Sequence, residues 1–272
     1  MGELAPITKI IPVLVVTAFM VIGMMLHQTA RQKQILGVLW LQAMRRLITH
    51  LQRHRGLSAG VLGGEQALEE NLSEVRKQVF KDIEAINGVG EWMNQHADWL
   101  SIVEHWTRLI GSVHRLSVSD AIHQHTLLIK NVLALVDEIA VEHHLHDVPG
   151  GSQWRDLLTL AEYVGQMRAL GTALATVANH QDEIAVNKTR EDLQGLSQEI
   201  LTSLDSPNYR AGIDGDNLQR ILDFLSYVDA QLLKDAPGVE ASGFYAEATK
   251  TLDQLFKRFD QQLSQVHQRL AH

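Results

Sequence analysis

The chain has 272 residues, with 24 Lys and Arg against 32 Asp and Glu, 14 His and no Cys. The missing thiols exclude a disulfide scaffold, a thiolate metal centre and a cysteine nucleophile, and a net charge of −8 argues against a nucleic-acid partner, which needs a basic surface. Only 5 prolines and a 45% hydrophobic share point to long helices around a sizeable core.

After a tail of residues 1–9, the run Ile10 to Leu26 holds 17 residues without a charge, about 25 Å as a helix at ~1.5 Å per residue. That is the short end of a bilayer span. No small-residue cleavage pattern follows, so a retained single-pass transmembrane helix over 10–26, in contact with the lipid bilayer, is the expectation. Beyond it, apolar residues at spacings of three and four (Ile35, Val38, Leu39, Leu47, Ile48, Leu51) extend the helix to a stop near Gly63–Gly64. Glu65 to Ile86 reads as a second helix. Glu91 to Leu116 reads as a third, with Trp92, Trp99 and Trp106 as a core stripe. Cap residues at Ser117–Asp120 open a fourth, Ala121 to Leu145. Pro149 to Ser152 then breaks the chain. Four more helices are predicted over Gln153–Asn179, Gln181–Leu204, Asn217–Lys234 and Ser242–His272. No segment alternates with period two. The pattern is all-α: two helical bundles, or one bundle lengthened by continuous helices.

One short pattern occurs twice. Arg55-Gly56-Leu57-Ser58-Ala59-Gly60 ends the first helical stretch, and Arg168-Ala169-Leu170-Gly171-Thr172-Ala173 follows the mid-chain break. Small residues let a second helix approach closely, which leaves the arginine in a crowded, dehydrated place where it needs a partner. That partner is either a carboxylate of the protein or a bound anion. A helical Gly costs up to about 1 kcal/mol relative to Ala, so Gly56, Gly60, Gly165 and Gly171 call for close packing or for close backbone approach to a ligand.

The chain resembles the nitrate- and nitrite-sensing (NIT) domain family. The likeness rests on QRHRGLSAG, on the stretch HQHTLLIKNVLALVDEIAVEHHLHD ending at Asp147, on AEYVGQMRALGTALA and on SGFYAEATKTLDQLFKRF, in that order, from about Trp40 to Leu270. It implies a pair of four-helix bundles, here about 27–148 and 152–272. It also implies recognition of a small oxyanion, nitrate or nitrite, by arginines on bundle helices: Arg55, its neighbour Arg53, and Arg168. Gly56, Ser58, Gly60, Gly165 and Gly171 would pack around that site. A guanidinium suits a planar trigonal anion because it donates two parallel hydrogen bonds. Arg53 and Arg55 lie about 200° apart on a helix and cannot both face inward, and Arg55 beside Gly56 is the favoured one. The second motif carries Gly-Gln-Met before its arginine, where many relatives have a more charged run.

Other candidates read as structural. His50 and His54, at i, i+4, are a metal-compatible pair without further ligands. His143, His144 and His146 with Asp147 sit at a helix end, where histidine suits the dipole. Asp137, Glu138, Asp156 and Glu162 read as solvated helix faces. There is no nucleophile elbow, phosphate loop or dinucleotide fingerprint, so neither an enzyme nor a cofactor is expected. The chain ends at His272, so an output would come from a homodimer or a separate signalling partner. The alternative is a non-sensing helical scaffold or accessory subunit of a membrane complex. For the expected bacterial inner-membrane placement, Arg31, Lys33, Arg45 and Arg46 favour a cytoplasmic domain. The habit of anchored receptors with this domain favours a periplasmic one, and the periplasm is preferred.

Overall fold

A computed structural model of the chain describes residues 5–148, 154–177, 183–234 and 238–271. Their regular elements are all helical. The first helix, α1, runs from Ala5 to Leu62, 58 residues without a break. The uncharged run 10–26 is simply part of it; the side chains of residues 5–19, 21, 23, 26 and 27 lie outside those described. Among the described residues no helix is long and apolar enough to cross a membrane. This corrects the single-pass inner-membrane placement with a periplasmic domain, and it leaves the expected transmembrane helix and its lipid contact without support among the described residues. The uncharged run of 17 residues lies at the lower limit of the roughly 17–25 that a span uses, and it continues without a boundary into the long packed helix.

From Gly37 onward α1 is a central mast, with Val38, Leu41, Met44 and Ile48 fully buried. It packs against α2 (Glu69–Val89) and α5 (Val118–Glu142) on one side, and against α6 (Trp154–Val177) and α10 (Ala241–Ala271) on the other. Between α2 and α5 lie the short α3 (Glu91–Asn94) and α4 (Ala97–Ser112). The second half adds α7 (Glu183–Asp205), the six-residue α8 (Pro207–Gly212) and α9 (Gly215–Leu232). One hydrophobic cluster runs from Val38 to Leu270 and joins both halves.

Local chemistry accounts for the boundaries. Ser117 caps α5 by accepting a 3.0 Å hydrogen bond from the Asp120 amide, and Asp214 caps α9 through the Asn217 amide at 2.9 Å. Pro207 begins α8, where its missing N–H costs nothing, so part of the stretch between the predicted helices Gln181–Leu204 and Asn217–Lys234 is helical. The third predicted helix is split instead. Gln95 and His96 interrupt it, His96 with extended backbone (φ −77°, ψ 120°). Trp99 and Trp106 are buried on α4, whereas Trp92 sits on α3 and is half-buried. The predicted break at Pro149–Ser152 falls outside the described residues.

The middle of α6 is buried around most of its circumference, with Thr159, Tyr163, Gln166 and Leu170 half-buried along one face, as a largely apolar helix must be. From Leu157 to Val177 its only charged residues are Glu162 and Arg168, and both are buried. That places two ionised groups where three helices meet.

Candidate functional site

The site is built where α1, α6 and α10 cross, with α5 behind. On α1, Gln52 and Arg55 are three apart and share a face. On α6, Glu162, Gly165 and Gln166 share another. Arg55 is fully buried and Glu162 is 4% exposed. Arg55 Nη1 donates to Glu162 Oε1 at 2.6 Å and Nη2 donates to Oε2 at 3.3 Å. Nη1 also reaches Thr126 Oγ1 on α5 at 3.0 Å. Two amides complete the carboxylate's shell: Gln52 Nε2 donates to Oε2 at 2.9 Å and Gln166 Nε2 to Oε1 at 3.0 Å. A Cβ on Gly165 would stand 2.9 Å from both Arg55 Nη2 and Gln52 Cδ. The glycine is what lets this ion pair fit between the helices.

Arg168 lies six residues further along α6 than Glu162 and is 5% exposed. Its guanidinium stacks on the Tyr245 ring, 4.7 Å from the centroid, and Nη1 donates to Thr249 Oγ1 at 3.0 Å. That hydroxyl in turn donates to the Tyr245 carbonyl at 2.8 Å. No carboxylate pairs with Arg168 among the described residues. Its Nε and that of Arg55 are buried without an acceptor. Burial is the main cause that pushes the Arg168 pKa down, and the Arg55 charge pushes the same way, against the opposing pull of Tyr245, Asp253 and Glu162. The layer therefore holds two guanidinium groups and one carboxylate. Beside it opens a cavity of about 550 Å³ whose wall includes Gly56, Gly60, Thr172 and Tyr245. Thr172, one turn beyond Arg168, has its hydroxyl buried and without a partner.

The residues singled out from the sequence fall into place as follows. Arg55 and Arg168 are brought to one junction. Gly56 backs onto Tyr245, where a Cβ would stand 3.1 Å from Cε2, and Tyr245 carries Arg168. Arg53 is exposed and apart from both. Gly60 makes room for Leu68, and a Cβ on Gly171 would overlap Phe244. Ser58 is buried with its hydroxyl 3.2 Å from His54 Nδ1. Glu162, read from the sequence as solvated, is a correction: it is the buried partner of Arg55. Of the other acids in that group, Glu138 meets His96 at 3.2 Å and Asp137 meets Arg155 at 3.2 Å, both pairs nearer the surface. Thr126, Tyr245 and Thr249 were missed, because each joins the site only through the crossing of distant helices.

His50, His54 and His143 are packed. His50 pairs with Asp82 at 2.5 Å, while His54 Nδ1 meets His125 Nε2 at 2.7 Å. His125 Nδ1 donates to the Ala121 carbonyl at 2.6 Å, which fixes its Nε2 as the acceptor for His54. His143 is buried against Trp40 and Trp92, with centroids 4.8 and 5.2 Å away, and burial lowers its pKa to about 4. His144 is exposed, with left-handed backbone (φ 52°).

The His54–His125 pair carries a pH prediction. Burial is the largest cause that lowers both pKa values, that of His125 from 6.5 to about 3. The folded state then binds fewer protons than the unfolded state between these values. Stability is full above pH 6.5 and falls as the pH drops towards 3. The slope is about 1.4 kcal/mol per pH unit for each histidine. Urea unfolding at pH 7 and pH 4.5 should show that loss, and His125→Gln should flatten it. An equal slope in the variant would assign the acid sensitivity to other groups.

A family model described as "Nitrate and nitrite sensing" matches residues 46–271. The chain belongs to that family. The match spans α1 from Arg46 through α10, so it includes Arg55, Glu162 and Arg168, and it bears out the resemblance read from the motifs. No curated protein sequence matches the chain. A solved structure described as "Structure of the NasR transcription antiterminator" is similar at a TM-score of 0.71 and 15% identity, covering 94% of this chain and 74% of that one. At such identity the likeness shows the fold alone: the arrangement of helices in this NIT chain is shared with that protein.

Proposed function

We propose that this NIT chain is a sensor in which a nitrate or nitrite ion is held between Arg168 and Arg55, at the crossing of α1, α6 and α10. The observation that carries the reading is Arg168. It is a buried guanidinium with one hydroxyl acceptor, an aromatic face and no carboxylate partner among the described residues. Buried charges are otherwise paired, and a monovalent planar oxyanion is the partner whose shape matches the guanidinium. Family membership supports the same ligand class. Gly56, Gly165 and Gly171 serve this reading by bringing helices close enough for two arginines to share one anion, with Ser58 and Gly60 packing nearby; Arg53, on the exposed face, takes no part.

In this reading the role is sensing rather than catalysis. The anion ties α1 of a first bundle, about 27–148, to α6 and α10 of a second, about 152–272. Binding would shift the equilibrium between two packings of these helices in proportion to the differential affinity. The shift would travel along α1 to a second copy or a separate signalling partner. The Arg55–Glu162 pair taken alone equally suits a helical scaffold that senses nothing, and the test separates the two. Sodium nitrate and sodium nitrite are titrated calorimetrically into the full chain, with sodium chloride as control. Saturable heat and a rise in melting temperature are expected with the oxyanions only. No heat and no thermal shift at millimolar nitrate would leave the scaffold.

A further inference from the structure

We infer that Glu162 is a built-in competitor for the oxyanion: its carboxylate occupies the guanidinium face that the ion would take on Arg55, and the grip on that carboxylate sets the affinity of the site. The inference rests on the sensing reading above. A carboxylate and a nitrate ion present the same thing to an arginine, two oxygens in one plane. Glu162 already uses both terminal nitrogens of Arg55, at 2.6 and 3.3 Å, and leaves only Nε without an acceptor. An anion that recruits Arg55 must therefore draw at least one Nη away from Glu162. The longer contact, Nη2 to Oε2, is the one to yield first. Gln52 and Gln166 keep the carboxylate in place during the exchange, since each donates to one of its oxygens.

Charge counting adds a preference. Arg55, Arg168 and Glu162 together carry a net charge of +1 in a layer where each is at most 5% exposed. A monovalent anion brings the layer to neutrality, whereas a divalent one leaves an uncompensated buried charge. Glu162 thus selects singly charged planar oxyanions over sulfate. Exchange also rewires the helices: the direct α1–α6 ion pair loosens, and an anion held by Arg55 and Arg168 takes over the tie.

The test compares nitrate titrations of the full chain and three variants, each checked for native circular dichroism. Glu162→Gln keeps the size and removes the competing charge, and nitrate should bind about tenfold tighter or more. Gln166→Met keeps the charge but removes one of the amides that satisfy the carboxylate while Arg55 is drawn away, so it should weaken nitrate, by about threefold given a single neutral hydrogen bond. A purely electrostatic role for Glu162 would leave Gln166→Met unchanged, and that outcome overturns the proposal. In Glu162→Ala, millimolar formate should raise the melting temperature and compete with nitrate, and the discrimination against sulfate should relax, because the layer then carries +2. Equal or weaker nitrate binding in folded Glu162→Gln overturns the competitor and leaves the anion site standing. Absence of nitrate binding in the wild-type chain and in every variant overturns both.

Discussion

Replacing Arg55 with Met is expected to destabilise the chain by about 3–5 kcal/mol, the cost of breaking a buried ion pair by removing one partner. Glu162 would keep its two amide donors but lose its cation. Arg168, the nearest alternative, is committed to Thr249 and to the Tyr245 ring. The double variant Arg55→Met with Glu162→Leu removes both charges and fills the space with apolar atoms. Such replacements are often neutral or better, so it should recover most of the loss. Urea unfolding of the two single variants and the double variant closes the cycle. Additive losses would show that the pair does not act as a unit, and a loss below about 1 kcal/mol for Arg55→Met would place it with solvent-exposed pairs.

This pair also marks where the sequence runs out. The all-helical pattern and the double arginine motif can both be read from spacing. So can the inward turn of Arg55: with Arg53 about 200° away, only one of the two can face the core, and the structure buries Arg55 and exposes Arg53. Glu162 was misread because helical carboxylates are mostly solvated. A finer signal was present. In LLTLAEYVGQMRALGTALATV the only charges are Glu162 and Arg168, in a stretch apolar on all faces. Six residues apart, they cannot pair with each other on one helix, where contacts come at three and four. Each must then find a partner on another element. Which element supplies it depends on helix crossings between residues 107 positions apart for Arg55 and Glu162, or 71 for His54 and His125, and periodicity within one helix carries no record of those. The membrane expectation failed differently. A 17-residue uncharged run sits where the ranges for spans and for other apolar helix segments meet. The helix around it continues unbroken to Leu62, so no boundary marks a separate element.

Arg168→Met should behave in the opposite way to Arg55→Met. Among the described residues no carboxylate pairs with the Arg168 guanidinium, and its burial already disfavours the charged form. An unbranched apolar side chain of similar length removes that penalty, keeps contact with the Tyr245 ring and leaves only Thr249 Oγ1 short of one donor, a hydroxyl that still bonds to the Tyr245 carbonyl. The melting temperature should therefore stay level or rise. Nitrate binding should fall by about a hundredfold or more, the loss expected when a buried charged partner is removed from a hydrogen-bonded anion. Arg53→Ala, on the exposed face, should change neither quantity. The opposed signs matter because destabilisation and lost binding usually arrive together and are hard to separate. A gain in stability with loss of binding would mean that Arg168 is kept at a cost to the fold, which is the signature of a residue held for a ligand. If Arg168→Met unfolds the chain, or retains nitrate binding, the guanidinium is a structural element and the anion must be sought elsewhere.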